Sequence, residues 1–331
     1  MAVTLALRAL GLGDLLTAVP ALRALRRATR GDRLLLAAPD VLGPLAALSG
    51  AVDEVWPTSG LGALRPPPEP PALAVNLHGS GPQSSADLLG TRPARLITHW
   101  HPDVPEVAGP PWRAEQHEVV RWCRLLEWHG IPADPRDLSL PPPPAPSPAP
   151  GAVVVHPGAA YPARRWPAER FAAVARELAA AGHDVVVTGG AGERALAARV
   201  AALAGLPSGA VLAGETDLTG LAALVSAAAL VVCGDTGVGH LATAFGTPSV
   251  LLFGPTAPAR WGPPADPRHV VLWAGGTGDP FAAHPDPGLL RLTEKDVLAA
   301  AWPLLTREDE TTCQTGPTRT RSASSAPGTS V

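Results

Sequence analysis

Short apolar runs alternate with longer amphipathic segments along most of the chain. Strand-like runs at residues 2–10, 33–38, 51–56, 72–77 and 94–98 are separated by segments with helical spacing at 15–29, 41–48, 84–89 and 114–129. Strands that alternate with helices are typical of a parallel α/β layer, because each crossover uses a helix to return the chain to the same edge. Residues 1–140 are therefore predicted to form one α/β domain.

A proline-rich segment interrupts this alternation. Residues 141–150 contain seven prolines, which exclude a helix interior or a central strand, so we predict a stiff interdomain linker. The alternation then restarts, with strands predicted at 152–156, 184–188, 210–213, 229–233 and 249–253 and helices at 168–181, 192–204, 218–228, 236–245 and 294–305. Residues 151–305 are thus a second predicted α/β domain, and the polar residues 306–331 a disordered tail.

Composition narrows the class of protein. The 331 residues suffice for two domains, and the net charge of −3 argues against a nucleic-acid binder. Cys123, Cys233 and Cys313 match no metal-ligand spacing, so reduced structural thiols are expected. The chain shows no secretion signal, and no run reaches the roughly 18–20 apolar residues that cross a bilayer. A cytoplasmic location is therefore expected.

The first candidate motif is Gly11-Leu12-Gly13-Asp14, between the first predicted strand and helix. Gly11 and Gly13 allow a tight turn close to a ligand, and a helix N-terminus attracts negative charge. Leu16 stands where a dinucleotide fingerprint has its third glycine. Asp14 is interpreted either as a helix N-cap or as a general base at the carboxyl edge of the sheet, and the two roles are compatible.

Two strand-to-helix junctions in the second half carry further candidates. Arg164 follows the loop that begins at His156-Pro157-Gly158, and its guanidinium suits the oxygens of a diphosphate; an ordinary solvated basic turn is the alternative. The segment 234–240 is a glycine-rich helix start that offers backbone N–H groups to an anion. Asp235 is alternatively the cap of that helix, and His240 a structural histidine one turn below Thr236.

Two weaker candidates follow other predicted strands. Glu193 lies just after Gly189-Gly190, where a carboxylate can accept from ribose hydroxyls; the start of a surface helix is an equal alternative. Thr216 and Asp217 open the helix before the glycine-rich junction, either as a ligand contact or simply as its cap.

These motifs, in this order, resemble glycosyltransferase family 9, the family of ADP-heptose:lipopolysaccharide heptosyltransferases. The likeness rests on residues 10–22, 156–167 and 235–241 and on Phe253-Gly254-Pro255-Thr256 with Trp261-Gly262-Pro263, and it is weaker over 60–111. It implies an α/β GT-B fold, with two Rossmann-like parallel-sheet domains facing a central cleft. The N-terminal domain would bind the acceptor and the C-terminal domain the nucleotide sugar.

The resemblance also implies roles for individual residues. Asp14 would activate the acceptor, and Arg164 would bind the diphosphate where the family commonly has lysine. The remaining donor contacts would be Glu193 at the ribose, with Thr216, Asp235, Thr236, Gly237 and His240 nearer the phosphates. Ala159-Ala160 replaces the Thr or Ser donor contacts of some members, which leaves the identity of the donor open.

The implied activity is inverting transfer of a sugar, of heptose type, from a nucleotide-diphosphate donor such as ADP-heptose to a glycan or glycolipid hydroxyl. No metal and no cofactor are expected, since arginine and the helix start would meet the diphosphate charge; the nucleotide sugar is a co-substrate. The acceptor is lipopolysaccharide core, another cell-wall glycan or a secondary metabolite. A peripheral contact with the inner face of the cytoplasmic membrane is included in this expectation.

Two other classes of function stay open at this point. An NAD(P)-dependent oxidoreductase on a Rossmann fold would need a third glycine and an acidic residue at the end of the second strand, where Asp40 sits late. A non-catalytic GT-B module that senses nucleotide sugars would keep the fold without the reaction. Sugar transfer or donor hydrolysis separates these readings.

Overall fold

The computed structural model describes residues 1–313, with side chains only as far as residue 306. The N-terminal half holds a five-stranded parallel sheet in the order β3-β2-β1-β4-β5. Its strands are β1 (Val3–Leu7), β2 (Arg33–Ala38), β3 (Glu54–Pro57), β4 (Leu73–Asn76) and β5 (Leu96–Ile97). Its helices are α1 (Leu12–Ala28), α2 (Gly43–Leu48), α3 (Gln83–Gly90) and α4 (Glu118–Trp128).

The C-terminal half repeats this architecture with a second parallel sheet, in the order β10-β9-β8-β6-β7. Its strands are β6 (Val153–His156), β7 (Val185–Val187), β8 (Leu230–Gly234), β9 (Ser249–Phe253) and β10 (His269–Trp273). Its helices are α5 (Ala168–Ala180), α6 (Arg194–Ala204), α7 (Leu218–Ser226), α8 (Gly237–Phe245), α9 (Pro258–Trp261), α10 (Pro287–Arg291) and α11 (Glu294–Cys313). Two parallel α/β sheets in one chain confirm the predicted fold class.

The central strands β1, β4, β6 and β8 are buried along their whole length because helices cover both faces of each sheet. In β1, Leu5 pairs with Leu35 of β2 on one side and Ala74 of β4 on the other, and all three are buried. The strand order reverses between β1 and β4, and again between β6 and β8. Such reversals open a crevice at the carboxyl ends of the strands, which is where open α/β sheets bind ligands.

One apolar core runs through both halves. Fully buried Leu22 and Leu25 of α1 belong to the same cluster as Leu224 of α7 and Leu241 of α8. Helix α1 packs on both α4 and α8. The proline-rich residues 141–150, which lie between the last helix of the first half and the first strand of the second, contain no helix or strand.

Several predicted elements differ from the observed ones. Helix α1 begins at Leu12 rather than at residue 15, because extended Gly11 (φ −82°, ψ −176°) is its N-cap. The strand predicted at 210–213 is reduced to one parallel bridge between Val211 and Val187, since Gly214 turns the chain away with φ +72°. Strand β10 and the short helices α9 and α10 were not predicted.

The last helix also exceeds its prediction. Helix α11 continues to Cys313, although residues 294–305 were expected to be its full length. Of the tail predicted over 306–331, residues 314–331 lie outside the described part of the chain. Within residues 1–313, no helix combines the length and hydrophobicity needed to span a bilayer.

Candidate active site

The first turns of α1 and α8 meet at the boundary between the two halves. A Cβ on Gly13 would lie 2.8 Å from Cδ2 of His240 and 3.5 Å from Cα of Gly237. A Cβ on Gly237 would lie 3.0 Å from the side chain of Leu12. Glycine at both positions therefore permits this approach, and it brings the two predicted glycine-rich motifs together across one cleft.

Asp14 lies at this junction, at the N3 position of a capping box, and is not itself the N-cap of α1. It is the third helical residue, and its Oδ2 accepts a hydrogen bond from the backbone N–H of Gly11 at 3.2 Å. The N-cap interpretation of Asp14 is therefore wrong, because the helix begins one turn earlier than the apolar spacing indicated. The Asp14 side chain is 27% exposed, so its carboxylate can reach solvent in the cleft.

A buried arginine holds the other oxygen of Asp14. Nη2 of Arg8, a residue just after β1, donates to Oδ1 of Asp14 at 3.0 Å and also to Oε1 of Glu118 at 2.9 Å. Nη1 of Arg8 donates to the carbonyl of Leu77 at 2.6 Å, and Nε donates to the carbonyl of Asp14 at 3.0 Å. The Arg8 side chain is 0% exposed, which is tolerated because its donors are met by carboxylates and carbonyls.

Glu118, the first residue of α4, is itself fixed by two neighbours. Its Oε2 accepts from Nε of Arg121 at 3.0 Å, and its Oε1 accepts from Nε1 of Trp122 at 3.0 Å. Burial alone would raise the pKa of Glu118, but Arg8 and Arg121 outweigh it and lower the pKa, so this carboxyl stays ionised.

The pKa of Asp14 is shifted in the opposite direction from that of Glu118. Burial raises the pKa of Asp14 above its ordinary value; Arg8 opposes this rise, and the charge of Glu118 adds to it. Arg164 of the C-terminal half also pulls the pKa of Asp14 down, which shows that its charge is felt across the cleft. A carboxyl with a raised pKa is a stronger proton acceptor than an ordinary aspartate.

The C-terminal half forms the other wall of the cleft, where Arg164 lies beside Asp235. Their closest atoms, Nη1 and Oδ2, are 4.0 Å apart, and Nε of Arg164 is buried without a partner among the described residues. Gly234 permits this placement, since a Cβ there would lie 3.0 Å from the carbonyl oxygen of Arg164. Burial raises the pKa of Asp235 to about 6, although Arg164 pulls it down.

Asp235 is also not a helix cap. The N-cap of α8 is Thr236, and no side chain caps the helix. The cap interpretation of Asp235 is therefore wrong, and its carboxyl instead faces Arg164. The first turn of α8 thus keeps backbone N–H groups directed toward the cleft, as expected of an anion site.

His240 completes the contact between the walls. Its ring lies edge-on to Trp261, with centroids 6.0 Å apart, and packs against Gly13. Burial lowers the pKa of His240 to about 4, so the imidazole is neutral near pH 7. A neutral ring can still donate a hydrogen bond to a phosphate oxygen, but it adds no charge.

Glu193 and Thr216 lie further along the C-terminal edge. Oε2 of Glu193 accepts from the backbone N–H of Gly190 at 2.8 Å, and a Cβ on Gly158 would lie 2.1 Å from Oε1. Glu193 therefore sits over the loop that leads to Arg164. The Thr216 side chain makes no hydrogen bond within the described side chains, and Asp217 caps α7 by accepting from Gly220 at 2.7 Å.

Sequence reasoning missed Arg8 and Glu118. The sequence did offer a usable signal for Arg8, because it is the one charged residue within the predicted buried strand 2–10, and a buried charge needs a partner. Glu118 gave no comparable signal, since an acidic residue in the first turn of a helix is favourable without any partner. Its pairing with Arg8, 110 positions away, depends on the packing of α4 against α1.

Comparison with known proteins agrees with this arrangement. The family model described as glycosyltransferase family 9 (heptosyltransferase) matches residues 113–280, just over half of the chain. The chain belongs to glycosyltransferase family 9. The matched region includes Glu118, Arg164, Glu193, Asp235 and His240, but not Asp14.

Individual relatives match shorter parts of this family 9 chain. Lipopolysaccharide heptosyltransferase 2 of Escherichia coli K12 is 36% identical over 106 residues, which cover 31% of this chain and 30% of the relative. Lipopolysaccharide heptosyltransferase 1 of Pseudomonas aeruginosa is 34% identical over 154 residues, or 44% and 42% of the two chains. The matched segments thus span less than half the length of either relative.

The fold likeness is more extensive. The solved structure of E. coli ADP-heptose lps heptosyltransferase II superposes with a TM-score of 0.75 and covers 93% of this chain and 100% of that one, at 21% identity. That likeness, in both sheets at once, identifies the architecture as GT-B. The predicted family and fold are confirmed.

Proposed function

We propose that this family 9 chain is an inverting, metal-independent glycosyltransferase that moves a heptose-type sugar from a nucleotide-diphosphate donor, such as ADP-heptose, to a glycan or glycolipid hydroxyl. One observation carries the proposal: α1, which carries Asp14, meets the first turn of α8 where Gly13 approaches Gly237 and His240, and there the Asp14 carboxyl lies within electrostatic range of Arg164. The names of the relatives support heptose as the sugar and lipopolysaccharide core as the acceptor.

In the proposed reaction, Asp14 accepts the proton of the acceptor hydroxyl as that oxygen attacks the anomeric carbon. The bond from the anomeric carbon to the diphosphate oxygen breaks on the opposite face, so the configuration inverts. Oδ1 of Asp14 is held by Arg8, which leaves Oδ2, the oxygen that accepts a hydrogen bond from the Gly11 N–H, to receive the proton. General base catalysis of this kind contributes typically 10²–10⁴-fold.

The departing nucleotide diphosphate gains negative charge, which the C-terminal wall would stabilise. The unpartnered Nε of Arg164 and the uncapped first turn of α8 are donors suited to phosphate oxygens. Asp235, beside Arg164, would orient the guanidinium rather than bind phosphate itself, since two anions repel. Glu193, Thr216 and neutral His240 would complete the donor site at its two ends.

These cationic and backbone donors would make a divalent metal and any cofactor unnecessary. The described residues contain no group of three or more His, Cys, Asp or Glu side chains placed to hold a metal ion. A glycolipid acceptor would bring the protein to the inner face of the cytoplasmic membrane as a peripheral partner.

A panel of nucleotide sugars tests the proposal on the full chain. ADP-heptose should raise the melting temperature more than UDP-glucose, GDP-mannose or dTDP-rhamnose, because a ligand that binds only the folded state stabilises it. With heptose-deficient lipopolysaccharide core as acceptor, ADP should be released and the product should have the anomeric configuration opposite to that of the donor. Binding of ADP-heptose without transfer or hydrolysis would favour the non-catalytic module, and retained configuration would contradict the role of Asp14.

A further inference from the structure

One guanidinium nitrogen serves two carboxylates beneath the cleft. Nη2 of Arg8 donates to both Asp14 and Glu118, at 3.0 and 2.9 Å. Nη1 and Nε of Arg8 donate to the carbonyls of Leu77 and Asp14, respectively. The whole side chain is buried, and it lies over the ring of Trp122 at 4.8 Å. Arg8 is therefore fixed in one orientation from both sides.

This arrangement resolves a conflict in the requirements of a general base. A fixed cation orients a carboxylate well, but it also stabilises the ionised form and so weakens the carboxylate as a proton acceptor. A second carboxylate on the same cation removes much of that effect while leaving the orienting hydrogen bond in place. Glu118 supplies this second charge from α4, and Arg121 and Trp122 hold it there.

We propose that Glu118 sets the basicity of Asp14 through the shared Nη2 of Arg8, so that Arg8 and Glu118 are positioning residues for the base. The expected effect on the transfer rate rests on the proposed function, whereas the expected effect on the proton affinity of Asp14 does not depend on it. Neither residue reaches the reacting atoms: Arg8 is enclosed, and the Glu118 side chain is only 10% exposed. Their effect on the reaction passes entirely through Asp14.

Other charges face this group and must be kept constant in any test. Asp14 also feels Arg164 from the C-terminal half, and its Oδ2 accepts from Gly11. Glu118 faces Arg121 on its own helix. His240 of α8 lies within electrostatic range of Arg8, Glu118 and His117. The variants below therefore leave Gly11, Arg164, Arg121, His117 and His240 unchanged.

The test measures the proton affinity of Asp14 directly. In full-length protein labelled with ¹³C at aspartate carboxyls, the Asp14 signal is assigned by its absence in Asp14→Asn and titrated by NMR. Glu118→Gln should lower the pKa of Asp14, because Arg8 then acts on it uncompensated. The acid limb of the transfer rate against pH should move to lower pH, and the plateau kcat should fall by about threefold to tenfold for a weaker base. The KM for the donor should stay at the parent value.

Glu127→Gln is the matched control, because it removes the same charge from an exposed position on the same helix. It should leave the Asp14 titration and the rate profile unchanged. An Asp14 pKa that stays at the parent value or rises in Glu118→Gln would overturn the proposal. A parent protein that transfers no sugar would refute the proposed function alone, since the carboxyl titration still decides whether Glu118 controls Asp14.

A second variant covers the case in which Glu118→Gln does not fold. Arg8→Met with Glu118→Gln removes both charges together, which avoids leaving Arg8 buried without its Glu118 partner, while Arg121 keeps its hydrogen bonds to the carbonyls of Arg113, Ala114 and Gln116. Burial then acts on Asp14 without the cation, so its pKa should rise above the parent value. Where both variants fold, the opposite directions expected for the single and double variants distinguish charge sharing from a packing defect, which would not reverse sign. A double variant with an Asp14 pKa at or below the parent value would contradict the proposal.

Discussion

The two walls of the cleft differ in how their polar groups are satisfied. On the N-terminal wall, Arg8, Asp14 and Glu118 bond to one another and to backbone carbonyls, and the arginine is fully enclosed. On the C-terminal wall, Arg164 keeps a buried Nε without a partner among the described residues, and no side chain caps α8.

This contrast separates two tasks. A group whose hydrogen bonds are complete is oriented before any ligand arrives, as a base must be. A buried hydrogen-bond donor without a partner destabilises the free protein, so an anion that accepts from such a donor binds with a larger gain in free energy. The N-terminal wall is therefore ordered before any ligand arrives, whereas the C-terminal wall keeps donors that a bound anion would satisfy.

The largest expected effect comes from Asp14→Asn. Because the amide has negligible basicity, the transfer rate should fall by roughly 10²–10⁴ while ADP still binds. The asparagine oxygen can accept from only one of the two donors that Asp14 serves, so stability should drop by about 1 kcal/mol. Rates, ADP affinity and thermal unfolding measure these outcomes.

Asp40→Asn is the comparison for that experiment. Asp40 is an exposed carboxylate just after β2 in the same half, and its loss should leave turnover at the parent level. Near-parent turnover in Asp14→Asn would remove the catalytic assignment and, with it, the contrast between the walls.

On the opposite wall, Arg164→Ala removes a charge-assisted contact to the diphosphate worth on the order of 1.5–3 kcal/mol. ADP affinity or turnover should fall about tenfold to a hundredfold, and Arg164→Lys should retain much more, because it keeps the charge. Arg176→Ala, at an exposed position on α5, should change neither quantity. Equal losses in the alanine and lysine variants would indicate that Arg164 packs rather than binds.

A smaller effect concerns stability against pH. The pKa of Asp235 is about 6 in the folded protein, above its ordinary 3.8, so folding favours the protonated form. Its contribution to stability is present at low pH and is lost as the pH rises through about 6. Asp235→Asn, which mimics the protonated form, should therefore raise the melting temperature more at pH 7.5 than at pH 4.5.

The informative quantity is the difference in melting temperature between variant and parent at each pH, because the titration of His240 changes the stability of both proteins in the opposite direction. Its folded pKa of about 4 lies below its ordinary 6.5, so its contribution is present above pH 6.5 and is lost as the pH falls. Asp184→Asn, at an exposed position, is the control. A gain for Asp235→Asn that is the same at both pH values would show that Asp235 is not the buried acid described.

The smallest expected effect is that of chelation. If arginine and helix amides meet the diphosphate charge, excess EDTA should leave the transfer rate unchanged within error. The measurement is the initial rate before and after dialysis against EDTA. A large loss that magnesium or manganese restores would show that the C-terminal wall is not sufficient by itself.

The sequence predicted the fold better than the interior of the site. Apolar runs of strand length recur because every inner strand is covered on both faces, so the two-sheet architecture followed from spacing alone. The glycine-rich junctions also marked the cleft, since parallel strands end at one edge. The start of α1 was misplaced because residues 11–14 were interpreted as a turn, although Leu12, Leu15 and Leu16 already have helical spacing. This error produced the wrong N-cap assignment for Asp14.

Tertiary packing decided the rest. Asp14, Arg164, Asp235 and His240 were predicted separately, and only the approach of α1 to α8 brings them together. Their roles stay predictions until the variants are measured. The strand predicted at 210–213 is limited to a single parallel bridge between Val211 and Val187, because its pairing with β7 depends on the turn at Gly214.

The core that runs through α1, α7 and α8 ties the two halves into one cooperative folding unit, although their sheets are separate. Neither half alone would cover the apolar faces of these helices, so cutting within the proline-rich residues 141–150 should not yield two folded fragments. Hydrogen exchange should report protection of β1 and β6 lost at the same denaturant concentration, as one cooperative unit requires. Loss of one sheet well before the other would mean that the shared core contributes little. If the shared core does hold the two halves together, bending between them is confined to the rims of the cleft, and α1 and α8 stay fixed relative to each other as its axis.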